Sequence, residues 1–128
     1  MRYLLDTHVL LWELTGDRRV SKAARKLLED PKHELFLSAA SVWEMAIKAN
    51  LGKLRMPVTL PRLVITAVSR GVRLLDVRVA HAYIQETLPL HHRDPFDRML
   101  IAQAAHEGLS IVSADETFDS YKVKRVWA

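Results

Sequence analysis

The chain has 128 residues, 49% of them hydrophobic, a length and composition that suit one compact domain with a substantial core. It contains no cysteine, which excludes disulfides and thiolate metal sites and fits a reducing cytoplasm. Its formal charge is +4, and no stretch reaches the roughly 18 uninterrupted apolar residues of a membrane span.

In chain order the pattern alternates strands and helices. "RYLLD" reads as a short apolar strand. Only Arg2 precedes this apolar run, and Asp6 and His8 interrupt it, so no signal peptide is expected. "THVLLWELTG" reads as a helix stopping at Gly16, and "VSKAARKLLEDP" as a helix opening near Ser21 and ended by Pro31. "ELFLS" is the second strand, and "AASVWEMAIKANLG" a helix closed by Gly52. A loop with two prolines, "KLRMPVTLP", leads into the helix "LPRLVITAVSRG". The strand "VRLLDV" and the helix "RVAHAYIQETL" follow, then the polar loop "PLHHRDP". "DPFDRMLIAQAAHEG" is the clearest helix, with Asp94 as N-cap, Pro95 in the first helical position and Gly108 past the end. "SIVSA" and "KVKRVW" read as the last two strands. Strands separated by helices of this length predict an α/β domain over residues 1–128 with a central, mainly parallel sheet flanked by helices.

In such sheets, sites form beyond the carboxyl ends of the strands. Five acids fall on that edge. Asp6 closes the first strand, and Asp115 follows "IVSA". Glu44 lies early in the helix after "LFLS", while Asp94 and Asp97 share one face in the first turn of the late helix. Each also has a purely structural reading. Asp6, Asp94 and Asp115 could cap the elements that follow them. Glu44 could close a capping box with Ser41, unless Ser38 is the cap. Asp97 could simply favour the helix dipole. Those readings explain the acids singly but not their convergence. Crowded carboxylates repel, and a hard divalent cation such as Mg²⁺ or Mn²⁺ resolves the repulsion. Removing these five from the 15 acids leaves 10 against 19 Lys and Arg, a basic remainder suited to a polyanion. Together these features point to phosphodiester hydrolysis by metal-activated water.

At these residues the sequence resembles the PIN-domain ribonucleases, in particular the VapC-type toxins of bacterial and archaeal toxin–antitoxin pairs. The matching stretches are "YLLDTHVLLW", "SAASVWEMAIKANLGKL", "HHRDPFDRMLIAQAAHEGL" and "IVSADETF", which occur in family order and are spread along nearly the whole chain. The resemblance implies a PIN-like fold and four acidic positions around Mg²⁺ or Mn²⁺, carried onto Asp6, Glu44, Asp97 and Asp115. Asp94 belongs to the "DPFDR" variant as an additional acidic wall. Thr7 and Ser113 match hydroxyl positions that orient a carboxylate or water. The resemblance further implies cleavage of RNA, transfer RNA among the family's substrates, to leave a 3′-hydroxyl and a 5′-phosphate. It also implies a homodimer and a cognate VapB-type antitoxin, through which alone promoter DNA is bound.

Lys48, four residues after Glu44, and Arg93 and Arg98, which flank the acidic turn, are candidate RNA-phosphate contacts, though each has an ordinary surface reading. Arg18, Arg19, Lys53 and Arg55 are further loop candidates. The six histidines lack zinc-ligand spacing and are expected in polar loops and on the surface. Trp12, Trp43 and Trp127 are expected to pack in the core or a dimer interface. An aspartyl-nucleophile phosphatase needs an acid where His8 stands, and a phospho-receiver domain needs an early acidic pair that is missing. The remaining rival, a non-catalytic RNA- or protein-binding module on this fold, leaves the full acidic set without a role.

Overall fold

The computed structural model describes residues 1–127. Five strands form one sheet: β1 (Arg2–Leu5), β2 (Glu34–Ser38), β3 (Arg73–Leu75), β4 (Ser110–Val112) and β5 (Arg125–Val126). Their order is β3-β2-β1-β4-β5, and every pairing is parallel. The helices are α1 (Thr7–Thr15), α2 (Lys22–Glu29), α3 (Ala39–Asn50), α4 (Leu60–Ser69), α5 (Val79–Thr87) and α6 (Pro95–Glu107), with a short 3-10 helix at Glu116–Ser120. The expected α/β architecture with a parallel central sheet is therefore the observed one.

Period-2 alternation in β1 builds two cores. Tyr3 and Leu5 pack with Val9, Leu10, Met45 and Leu63 on one face. Leu4 packs with Phe36, Leu100, Ile101, Ile111 and Phe118 on the other. Past the exposed Arg2 at its start, the central strand is thus apolar on both sides, and the next polar residue, Asp6, comes only where the strand ends.

Local chemistry sets the element ends. Ser21 caps α2 by accepting the Ala24 N–H at 3.1 Å. Asp94 caps α6 through Oδ1, which accepts the N–H groups of Phe96 and Asp97. Gly108 ends α6 at φ 69°, a left-handed conformation that glycine adopts without strain. After β1 the chain steps to β2 and β3 on one side, and β4 and β5 lie on the other. That reversal opens a crevice over the carboxyl ends of β1 and β4. No helix among the described residues is long and apolar enough to cross a membrane.

Candidate active site

Four elements deliver acids to this crevice. Asp6 occupies the N-cap position of α1, yet its side chain makes no capping hydrogen bond. Its Oδ2 instead accepts the Ser113 hydroxyl at 2.7 Å, and Asp6 is buried. The simple cap reading of Asp6 therefore fails. Glu44 is buried in α3, where Ser38 and not Ser41 is the N-cap, so no Ser41–Glu44 capping box forms. Glu44 Oε1 lies 2.8 Å from the Thr7 hydroxyl, and Oε2 accepts from Lys48 Nζ at 2.6 Å. Thr7 has one hydroxyl hydrogen and gives it to the carboxylate; Ser41 Oγ, 2.8 Å away, supplies its own to Thr7.

Asp115 caps the 3-10 helix through Oδ1, which accepts the Thr117 N–H at 2.9 Å. Its own N–H donates to Ser113 Oγ at 3.0 Å. Ser113 thus joins Asp6 to the Asp115 backbone from a fully buried position. Asp94 does cap α6, but only through Oδ1.

Electrostatics identify Asp97 as the point of greatest crowding. Burial pushes its carboxyl up to about 8, with Asp6, Asp94, Glu44 and Asp115 adding to the rise. These contributions put Asp6, Asp94, Glu44 and Asp115 all within electrostatic reach of Asp97, although the five span positions 6 to 115. Burial likewise raises Asp6 against the opposing pull of the Ser113 hydroxyl and His8. Burial also raises Asp115, but hydrogen bonds from Thr117 and His92 outweigh it and hold that carboxyl below its ordinary range. The hydrogen bond to Glu44 raises Lys48, and Asp94 and Asp97 reinforce it, so this lysine stands over the acidic centre.

One member of the centre escaped the sequence reading. His92, expected in a polar surface loop, is partly buried with Nε2 at 2.9 Å from Asp97 Oδ2 and 3.2 Å from Asp115 Oδ2. The signal available was its place two residues before the acidic turn, where an imidazole can fold back onto the backbone. His81 also departs from the surface expectation and is fully buried.

The basic candidates separate. Arg98 is corrected: it is buried, and its guanidinium donates to the carbonyls of Gln85, Leu88, Pro89 and His92 and to the Tyr121 hydroxyl. With both terminal amino groups engaged by the protein and the side chain buried, it is not placed to contact RNA. The reason is its position on the inner face of α6, one residue from Asp97. Arg93 remains exposed. Arg19 is committed to an ion pair with Asp17 at 2.7 Å and lies over the Trp12 ring at 4.6 Å. Trp12 and Trp127 pack edge to face, whereas Trp43 is 64% exposed and so is no core residue.

The donor set is one of carboxylate oxygens with buried hydroxyls behind them, which suits a hard divalent cation. Asp6, Glu44, Asp97 and Asp115 would hold it, and its charge would relieve the crowding felt at Asp97.

Comparisons with known proteins identify the family and the fold. Over 97% of both chains, the sequence is 28% identical to Ribonuclease VapC22 of Mycobacterium tuberculosis. Among solved structures, VapBC2 from Rickettsia felis, crystallised with a DNA fragment from its promoter, superposes with a TM-score of 0.75 at 14% identity over all of both chains. VapC20 of M. tuberculosis, described as a sarcin-ricin loop cleaving toxin, superposes with a TM-score of 0.69 at 16% identity over 98% of this chain and 99% of its own. At such identities these two structures speak for the fold. Residues 3–124 match the model of the PIN domain. That match runs from the strand before Asp6 to the residue before β5 and encloses every acid of the centre, so the chain belongs to the PIN-domain family.

Proposed function

We propose that the protein is a divalent-metal-dependent endoribonuclease and the toxin of a type II toxin–antitoxin pair, folded as a single domain over residues 1–128. The observation that carries this reading is the meeting of Asp6, Glu44, Asp94, Asp97 and Asp115 in one crevice, with Asp97 raised by all the others. The named relatives, a ribonuclease and toxin–antitoxin complexes, support it.

Mg²⁺, or Mn²⁺ in its place, is the expected ion; when bound it supplies charge neutralisation and polarisation of the scissile phosphate. The chain's own residues do the rest. Thr7 and Ser113 orient Glu44 and Asp6 by donating to them. Lys48 supplies the cationic side chain nearest the acids and steadies a phosphate drawn into the crevice, as Arg93 does from the loop. Water is the attacking group in this reading, and the family resemblance implies that the P–O3′ bond breaks, leaving a 3′-hydroxyl and a 5′-phosphate.

The substrate is RNA, with transfer RNA and other structured RNAs as the classes to test first. The partner is a VapB-type antitoxin, through which promoter DNA is engaged. A homodimer is supported by the apolar surface around Trp43, which forms an edge-to-face pair with Phe96 at 5.4 Å. Val77, Pro95 and Met99 extend it into a cavity of about 440 Å³. Exposed Val79 and Tyr83 lie on neighbouring α5. A non-catalytic binding module would have no use for a cluster of acids in which Asp6 and Glu44 are buried.

The test is cleavage of purified total RNA with mapping of the new 5′ ends. Cleavage should require Mg²⁺ or Mn²⁺, cease in EDTA and be lost in Asp6→Asn. Cleavage that persists in chelator, or in purified Asp6→Asn, refutes the assignment.

A further inference from the structure

We propose that His92 is a positioning residue of the acidic centre, whose Nε2–H bridges Asp97 and Asp115 and sets the spacing of two carboxylates delivered by different elements. The inference rests on the metal-site reading above and adds to it a residue that the acidic pattern does not contain.

The geometry fixes the role of each ring nitrogen. The Asp94 N–H donates to His92 Nδ1 at 3.2 Å, so Nδ1 offers its lone pair and the hydrogen resides on Nε2. Nε2 lies 2.9 Å from Asp97 Oδ2 and 3.2 Å from Asp115 Oδ2, and both are acceptors. One N–H therefore spans the start of α6 and the turn after β4. A nitrogen that carries its hydrogen cannot ligate a cation, which makes His92 a holder of ligands and not a ligand itself.

The ring is held in turn. The His92 backbone N–H donates to the Tyr121 hydroxyl at 2.8 Å, and that hydroxyl donates to the Pro89 carbonyl at 2.7 Å. Buried Arg98 closes the loop by donating to the carbonyls of Leu88, Pro89 and His92. The Phe118 ring packs beside the imidazole, with centroids 6.0 Å apart. Arg98 thus acts on the acids through His92: the guanidinium fixes the loop, the loop fixes the imidazole, and the imidazole fixes Asp97 and Asp115.

The test exploits the difference in reach between asparagine and glutamine. His92→Asn keeps an acceptor near the Nδ1 position for the Asp94 N–H but loses the donor to the acids. His92→Gln places an amide N–H near the Nε2 position. Mn²⁺ affinity, measured by electron paramagnetic resonance on folded protein without RNA, should weaken by about 10-fold or more in His92→Asn. In His92→Gln it should stay within about 3-fold of wild type. Asn binding as tightly as wild type, or Gln binding as weakly as Asn, overturns the inference. A second measurement needs no variant: long-range ¹H–¹⁵N spectra of the wild type in EDTA should show hydrogen on Nε2 of His92, and a ring bearing hydrogen on Nδ1 alone rules the bridge out. Asp97→Asn separates the two levels of the argument. If wild-type Mn²⁺ binding is absent or survives Asp97→Asn, the metal site itself is wrong and this inference falls with it. If binding depends on Asp97 but not on His92, only the positioning role falls.

Discussion

The Ser113 hydroxyl donates to Asp6 Oδ2 at 2.7 Å across 107 positions of sequence. This bond ties the end of β1 to the residue after β4 and occupies one Asp6 oxygen from the buried side. Ser113→Ala should therefore loosen Asp6 and free the Asp115 N–H together. We expect a loss of about 1 kcal/mol of stability and a fall in RNA cleavage of about 10-fold. Denaturant titration and initial-rate measurements check both. Unaltered cleavage in Ser113→Ala would show that Asp6 needs no such support.

Burial disfavours the charged form of Asp97, and the neighbouring acids add to that cost. At pH 8 in EDTA, Asp97→Asn should raise the melting midpoint by about 3–5 °C, equivalent to about 1 kcal/mol, because one buried charge leaves the cluster. The same variant should lose the stabilisation that Mn²⁺ gives wild type by mass action. A site that serves metal binding trades stability for function in this way. A lower midpoint in Asp97→Asn would mean that the carboxylate is structurally favourable as it stands.

Lys48 pairs with Glu44 at 2.6 Å but keeps about a third of its side chain exposed beside the crevice. Lys48→Ala should weaken RNA binding and lower the slope of log affinity against log salt by about one phosphate contact. If the slope is unchanged, Lys48 serves Glu44 alone.

Arg98 makes the opposite prediction. Its guanidinium satisfies four carbonyls from inside the protein, a geometry that lysine does not reproduce. Arg98→Lys should destabilise the fold by about 2–3 kcal/mol while leaving the salt slope of RNA binding as in wild type. Calorimetry and binding titrations separate the two effects.

His81 couples stability to acid. Burial lowers its imidazole below the ordinary 6.5, working against the Glu107 carboxylate at 3.9 Å, while neighbouring His106 and Arg78 push the same way as burial. Its Nδ1 accepts the Arg78 N–H at 2.9 Å, so the fold holds the neutral ring. The unfolded chain takes up the proton near 6.5 and the folded chain only at lower pH. Stability is full above that value and falls as pH drops through it toward the depressed folded value. His81→Asn keeps an acceptor for Arg78 but removes the titration. Its melting temperature should fall less steeply than that of wild type between pH 7 and 5; equal slopes would discard this account.

The strand and helix order was legible because hydrophobic periodicity and end signals are local. Ser21, Asp94, Gly16 and Gly108 sit at element ends where their backbone chemistry requires them. Misreadings arose where a side chain answers to distant neighbours. Ser41 looked like a cap for the helix containing Glu44, but it bonds to Thr7, 34 positions away. Arg98 looked like a surface charge because its acceptors are backbone carbonyls, which leave no mark in a sequence pattern. Trp43 sits among apolar neighbours in the chain yet projects from α3.

By itself, the sequence determined that acids would gather at one edge of a parallel sheet, because strand direction and the βα order place Asp6, Glu44, Asp97 and Asp115 at the carboxyl ends. Only the tertiary structure decided which groups hold those acids and which cations reach them. Ser113 and His92 act on carboxylates far away or on other elements, and Arg98 turns inward while Lys48 faces the crevice. The physical reason is range: backbone propensity and apolar period act over a few residues, whereas a hydrogen bond between side chains exists only after packing has brought its two ends together.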